Sequence, residues 1–297
     1  MRLSQTTAFY GARTNVTPEG NNVQNDVQLG NGLQQVSLPQ CNIGYSVRAI
    51  IAEGSDFVIN FATGDTTGTD AWVAGTAQVE TATAQGTITA SGNAQVVVTG
   101  ASIAGSPITL SVAVLSADTA ATWAGKVRTA IQSNAAISAK YTVGGASTAI
   151  SLTAKPDETI NGTPVFNSPS DATLNISLDN GTCTGITTAT TSANTTTGVV
   201  TSGVLLTSES GNDWQNNSIP SNFQVMVEFI TRAGKAVYTD GNDVEKGEIY
   251  ANTSRQFTYL LTDTAGTAFG DNSSPSFTFT AEENTSDIDL IIYVFEL

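Results

Sequence analysis

The sequence predicts a mainly β protein: a two-part β-sandwich, jelly-roll-like, with a small α+β domain inserted into it. Three observations carry this. Strand-like runs recur through residues 45–83 and again through 199–297, separated by Gly-, Asn- and Asp-rich turns. Residues 106–153 break that rhythm with one amphipathic helix between alternating strands. Charge is also uneven: residues 84–198 carry five acids against four bases, residues 199–297 fourteen against four, and the first 83 residues seven against three. A near-neutral stretch thus interrupts an acidic β domain. The expected parts are an N-terminal arm over 1–44, the first part of the sandwich over 45–83, the inserted module over 84–198 and the second part of the sandwich over 199–297. Insertions survive at exposed loop tips where exit and re-entry lie close together.

Residues 1–44 are rich in Asn, Gln and Gly, with sparse apolar positions at Val27, Leu29, Leu33, Val36 and Leu38. So polar a segment gains little by packing on itself. It reads as an extended arm on its own domain or a neighbouring subunit, or else as a lead-in followed by one edge strand. YSVRAII and DFVINFA are strand runs separated by Ala52-Glu53-Gly54-Ser55, which predicts a hairpin. A loop at residues 64–68 follows, then a short extended piece at Trp72-Val73.

GTITASG and AQVVVTG read as a strand pair joined around Ser91-Gly92-Asn93, and ITLSVAVL continues that sheet. The helix is expected over 118–132. Asp118 is its expected cap, and Ala120, Trp123, Ala124, Val127, Ala130 and Ile131 form one apolar stripe from which Lys126 and Arg128 stand apart. KYTVGG and TAISLTAK form a second hairpin candidate with Gly144-Gly145 at its turn. A loop with Pro156, Pro164 and Pro169 leads to ATLNISLDNGTC, in which Asp179-Asn180-Gly181 marks a turn. Ten of the twenty residues from 182 to 201 are Thr, which reads as an exposed β edge or a short return linker. SGVLLTS, FQVMVEFIT, KAVYTD, GEIYA, RQFTYLLTD, SFTFTA and DIDLIIYVFEL are then seven further strands.

Composition excludes several functions. The formal charge of −15 with eleven scattered bases argues against nucleic acid as a partner. With no histidine, Ser-His-Asp and Cys-His systems and His-ligated metals fall away within this chain. Cys41 and Cys183 lack a CxxC neighbour; they pair only if the fold unites them, and two buried free thiols are the favoured reading. The opening MRLSQTTAFYGARTN has no apolar stretch suited to a signal peptide and no segment approaches a membrane span, so the expectation is a soluble protein made in a reducing cytoplasm, without a membrane partner.

Few residues offer chemistry. Asp240, Asp243, Glu245 and Glu248 form the densest carboxylate cluster, but Val244 takes a ligand position and Glu245 the place of the glycine in the EF-hand order, so a solvated turn is expected. Glu282 and Glu283 are adjacent and on a strand would face opposite ways, unlike a glycosidase pair. Of Trp72, Trp123 and Trp214, which could stack on a sugar, Trp123 belongs to the core stripe, and Trp214, in GNDWQNN, is the only good candidate for an exposed aromatic. Gly144-Gly145 lacks the GKT or GKS of a phosphate loop, and the sequon Asn161-Gly162-Thr163 carries no weight without a secretory signal. No catalytic, cofactor-binding or metal-ligating residue is assigned.

The run GTITASGNAQVVVTG…GSPITLSVAVLSADTAATWAGKVRTAI…YTVGGASTAISLTAK resembles an insertion module that recurs in structural proteins of tailed bacteriophages. Asp118 to Ala121, Trp123 to Ala124 and Gly144 to Gly145 match its cap, Trp-Ala pair and Gly-Gly hairpin. LGNGLQQVSLP, FATGD and DIDLIIYVFEL make the flanking parts resemble the β domain of capsid decoration, or cement, proteins. The resemblance implies a non-enzymatic part of the virion, on the capsid surface, acting as a homotrimer on the major capsid protein. It is not read as the major capsid protein itself, because no long capsid-type helix is recognisable. The alternative is a tail, baseplate or fibre-associated protein that binds cell-surface glycan.

Overall fold

The structure, a computed structural model, describes residues 41–60, 70–187, 190–207, 223–240, 245–260 and 276–296. The chain begins with β1 (Cys41–Ile51), β2 (Asp56–Asn60), β3 (Val79–Thr83), β4 (Gly92–Thr99) and β5 (Ile108–Val114), followed by helices α1 (Ala120–Gln132) and α2 (Ala135–Lys140). Next come β6 (Tyr141–Gly144), β7 (Ala149–Ala154), β8 (Glu158–Ile160), β9 (Thr163–Val165), β10 (Asn175–Asp179), β11 (Thr190–Thr191), β12 (Ala193–Thr196) and β13 (Val204–Thr207). The last are β14 (Phe223–Ala233), β15 (Lys235–Asp240), β16 (Glu245–Tyr250), β17 (Thr253–Leu260), β18 (Ser276–Ala281) and β19 (Ser286–Glu296). The protein is mainly β. Its described residues fall into two compact units, divided between Val73 and Ala74 and again between Thr201 and Ser202.

The unit formed by the two flanking parts has two antiparallel sheets, ordered β13-β1-β19-β14-β17 and β16-β15-β18-β2. If β13 is set aside, the eight remaining strands pair in a nested way: first with last (β1·β19), second with seventh (β2·β18), third with sixth (β14·β17) and fourth with fifth (β15·β16). A long hairpin rolled up on itself gives this pattern, the jelly roll. β13 adds one strand beside β1. Both sheets contribute to a single core. Val47, Ala49, Ile51, Phe229, Ile288 and Leu290 from one meet Phe57, Ile59, Tyr238, Ile249, Phe277 and Phe279 from the other. Phe229 stands edge-on to Phe279, ring centres 4.8 Å apart, and Phe57 stacks on Phe279 at 6.0 Å.

The predicted hairpin at residues 52–55 is not formed. β1 and β2 lie in different sheets, and the turn between them is a corner of the roll. Gly54, at φ 72°, adopts the left-handed conformation this corner requires, and its N–H donates to Ala281 O at 2.7 Å. The Ser55 hydroxyl accepts from Gly203 N at 2.9 Å. The seven strands expected after residue 199 all appear, from β13 to β19.

The second unit packs α1 and α2 with two four-stranded sheets, β11-β10-β4-β5 and β12-β3-β7-β6, plus the small hairpin β8-β9. Trp123, Ala124, Val127 and Ile131 bury the predicted stripe of α1 against Val96, Val98, Val112, Ile150, Leu152 and Ile176. Three expectations need correction. Thr119, not Asp118, caps α1, with Thr119 Oγ1 accepting from Thr122 N. Ala117 at φ 74° turns the chain so that Asp118 instead accepts from Leu115 N at 2.9 Å and pairs with Lys126. GTITASG forms no strand partner for β4; β4 pairs with β5 and β10, and only Ala90 makes an isolated bridge, to Thr184. Residues 74–83, expected with the sandwich, belong to this unit, because β3 pairs with β7 and β12 and buries Glu80 and Ala82. The Thr-rich stretch supplies the strands that end the two sheets, β11 one and β12 the other, and β12 is exposed throughout.

Candidate functional site

The inserted unit holds a cleft of about 370 Å³, near the lower end of the volumes typical of small-ligand pockets, roughly 300–1,000 Å³. Its floor is a hydrogen-bonded set drawn from three loops and one strand. Asp171 Oδ1 accepts from the Thr173 N–H at 2.9 Å, an Asx turn, and from the Thr173 hydroxyl at 2.6 Å. Asp171 Oδ2 accepts from the N–H and the hydroxyl of Ser102, each at 3.0 Å. Ser102 Oγ lies 2.8 Å from the hydroxyl of Tyr141, the first residue of β6. Gln78 fixes the Asp171 backbone, accepting from its N–H at 2.6 Å and donating to its carbonyl at 3.1 Å.

Lys140, Lys155 and Asp157 complete the charged lining, two basic residues beside two acidic ones; Lys155 Nζ donates to Ser138 O and Asp157 Oδ2 accepts from Asn167 N and Ser168 N. Burial pushes the Asp171 carboxyl up, but the bonds from Ser102 and Thr173 outweigh it and hold the group below the ordinary carboxylate value. Tyr141 is pushed up, by burial first and then by Asp171, against the opposing Ser102 bond. At neutral pH, Asp171 is therefore an anion engaged with Ser102 and Thr173, and Tyr141 a neutral phenol. The set offers hydrogen bonds to a small polar ligand, and Asp171 is poorly placed to take a proton from Ser102.

In the jelly roll, Arg48 on β1 makes a bidentate pair with Asp287 on β19, Nε to Oδ1 at 2.7 Å and Nη2 to Oδ2 at 2.6 Å. Asp289 lies 3.8 Å from Arg48 Nε and also pairs with Arg232. Arg232 falls in the register shift of β14 between Thr231 and Ala233; such bulges re-aim side chains.

Of the predicted acidic candidates, Glu248 pairs with Lys235 at 2.8 Å. Glu282 and Glu283 lie beyond the end of β18, so the opposite-face argument does not apply to them; both approach Lys235, at 3.5 and 3.7 Å. The hydrogen bond from Lys235 holds Glu248 below the ordinary carboxylate value and raises Lys235 in turn. Asp240 and Glu245 fall on β15 and β16, and Asp243 lies outside the described residues, as do Trp214 and residues 1–40. Among the described residues, no group of three or more acidic or sulfur side chains is arranged to hold a metal.

Trp123 is fully buried and donates from Nε1 to Gly86 O at 3.1 Å. Gly145, at φ 102°, turns the β6-β7 hairpin, and Asn161-Gly162 turns the β8-β9 hairpin. Cys183 is a buried free thiol, pushed up by burial. Sequence reasoning passed over Ser102, Tyr141 and Asp171; only Asp171-Ala172-Thr173 carries a readable signal, that of an Asx turn. Among the described residues no helix is long and apolar enough to cross a membrane.

Comparison with protein-family models, with characterised proteins and with solved structures gives no match.

Proposed function

We propose that the chain is a non-enzymatic virion structural protein of a tailed bacteriophage, a decoration protein that clamps neighbouring copies of the major capsid protein as a homotrimer on the capsid surface. The observation that carries this reading is the nested jelly roll interrupted, between its second and third strands, by a separately cored α+β unit. Jelly rolls recur in viral capsid and lectin domains, and the fold alone does not choose between such roles. Charge favours the shell. Residues 74–201 carry six acids and four bases, and the rest of the chain twenty and seven, so the formal charge of −15 divides as −2 and −13. The acidic unit suits basic patches on a capsid, and residues 1–40 supply the arm that reaches a neighbouring subunit; the expected arm of 1–44 is shortened because β1 already begins at Cys41 and pairs with β19. Arms exchanged about a symmetry axis add buried area across capsomer junctions and so stabilise the head.

The test mixes the full chain with undecorated shells and measures co-sedimentation at several salt concentrations. Binding that saturates, weakens with salt and is lost on removing residues 1–40 supports the proposal. A monomeric chain that ignores shells and co-purifies only with tails refutes it. The module's cleft favours a second reading, in which a tail or fibre-associated protein binds cell-surface glycan through its balanced charges and hydroxyls. Sugar-competed cell binding that falls with Lys140→Ala would favour that reading.

A further inference from the structure

We infer that the free edge of β5 is a self-association surface, at which two copies of the chain pair antiparallel and join their module sheets. Among the described residues, β5 ends the sheet β11-β10-β4-β5 and is hydrogen-bonded only to β4. The direction of its free backbone groups follows from its neighbours. Asn93 turns its carbonyl away from β5, accepting from Thr182 and Cys183 on the other side of β4. Alternation then directs Gly92, Ala94, Val96 and Val98 towards β5, where they face Val114, Val112, Leu110 and Ile108. Thr109, Ser111 and Ala113 therefore present their N–H and C=O groups to the open edge, and their side chains are exposed.

Edge strands are ordinarily blunted by short length, charge, proline or a bulge. The module's other sheet edges follow that rule: β6 and β12 have four residues each, β11 has two, and β12 also carries a register irregularity. β5 has seven residues, with no charge and no proline within it, and Leu115 beyond its end is 63% exposed. Residues 81–117 contain no Asp, Glu, Lys or Arg.

A second copy fits this edge for two reasons. Reversed about a two-fold axis at Ser111, the strand is complementary to itself: Ser111 meets Ser111, Thr109 meets Ala113, and each outward N–H finds an outward carbonyl. The chain as a whole carries −15, so copies repel where their acids meet, and this uncharged edge escapes that repulsion. The contact is two-fold and needs only the module, so it is independent of the proposed capsid role.

The experiment uses the full chain and its variants Ser111→Lys and Ser111→Glu, with mass measured by sedimentation. Ser111 is exposed and its backbone groups face away from β4, so both variants leave the fold intact. Like charges at the axis should halve the mass of each variant relative to wild type, and mixing the two should restore it. Hydrogen exchange should show Thr109, Ser111 and Ala113 amides protected in wild type and in the mixture, and exposed in each variant alone. Equal masses for wild type and both variants, or an assembly in which these amides exchange freely, would overturn the inference. Shell binding is read separately, so either proposal can fail alone.

Discussion

Replacing Arg48 by Met should destabilise the jelly roll severely while leaving the inserted unit untouched. Arg48 is 7% exposed and Asp287 3%, and their bidentate contacts at 2.6 and 2.7 Å satisfy the carboxylate. Asp289 keeps Arg232 when Arg48 is gone, but Asp287 loses the arginine that engages both its oxygens. Breaking a buried pair from one side costs about 3–5 kcal/mol. For a unit of this size each kcal/mol moves the midpoint by about 2–4 °C, so the jelly-roll transition should fall by roughly 6–20 °C. Scanning calorimetry should resolve the two units, each with its own core, as separate transitions, and the second then serves as an internal control. Replacing both partners, Arg48→Met with Asp287→Leu, removes the stranded charge and should recover most of the loss. A single variant that shifts the transition by under about 2 °C would refute the account of this pair as a buried, mutually dependent unit.

Trp123→Ala should cost the inserted unit about 3–5 kcal/mol, because the indole is fully buried and its Nε1 bond to Gly86 O is lost; chemical denaturation followed by circular dichroism reads this. Asp171 has a depressed pKa when folded, so its contribution is present above the unfolded value of about 3.9 and lost as pH falls through the folded value. Asp171→Asn should therefore lower the module's midpoint at neutral pH, by about 1–3 kcal/mol in stability, and flatten its dependence on acid in a calorimetric series. Replacing residues 74–201 with a short Gly/Ser linker should leave a cooperatively unfolding β protein, since Val73 N donates to Ser202 O at 2.9 Å and the ends already meet.

The strands were largely legible in the sequence; their partners were not. Alternation in AQVVVTG, ITLSVAVL and SFTFTA reports which face of a strand is buried, and β4, β5 and β18 follow it. It does not report which strand lies alongside. Ala52-Glu53-Gly54-Ser55 has the composition of a hairpin turn, yet the nested pairing sends β1 to β19 and β2 to β18. The same blindness hid the charges. In DIDLIIYVFEL, Asp287 and Asp289 flank Ile288 and nothing in the pattern announces a partner, but Arg48 lies across from Asp289 in register and draws both aspartates into a buried network. The change of pattern and charge near residue 84 lies ten residues past the true boundary, because β3 carries Glu80, the one acid between Asp70 and Asp118, yet buries it in the module. Likewise, the cleft joins Ser102, Tyr141 and Asp171, separated in sequence and individually unremarked; its chemistry exists only once the sheets have closed.

The place of the insertion follows from the nested pairing itself. Strands β1 and β2 can enter the roll only by meeting β19 and β18, near the opposite end of the chain, so the fold depends on long-range closure whether or not a module is present. What the insertion adds is the closure of one loop between the second and third strands. Were residues 74–201 unstructured, each doubling of that loop would add only about 0.6 kcal/mol. They are instead folded around their own core, and Thr76 and Val199 bond to each other, N to O, at 2.9 Å in both directions, where the module's chain enters and leaves. Val73 pairs with Ser202 on the jelly-roll side of the boundary. Entropically, the roll therefore experiences a short connection, already closed by the module's own stability. An α+β unit of this size can therefore be carried in that loop at little entropic cost to the sandwich.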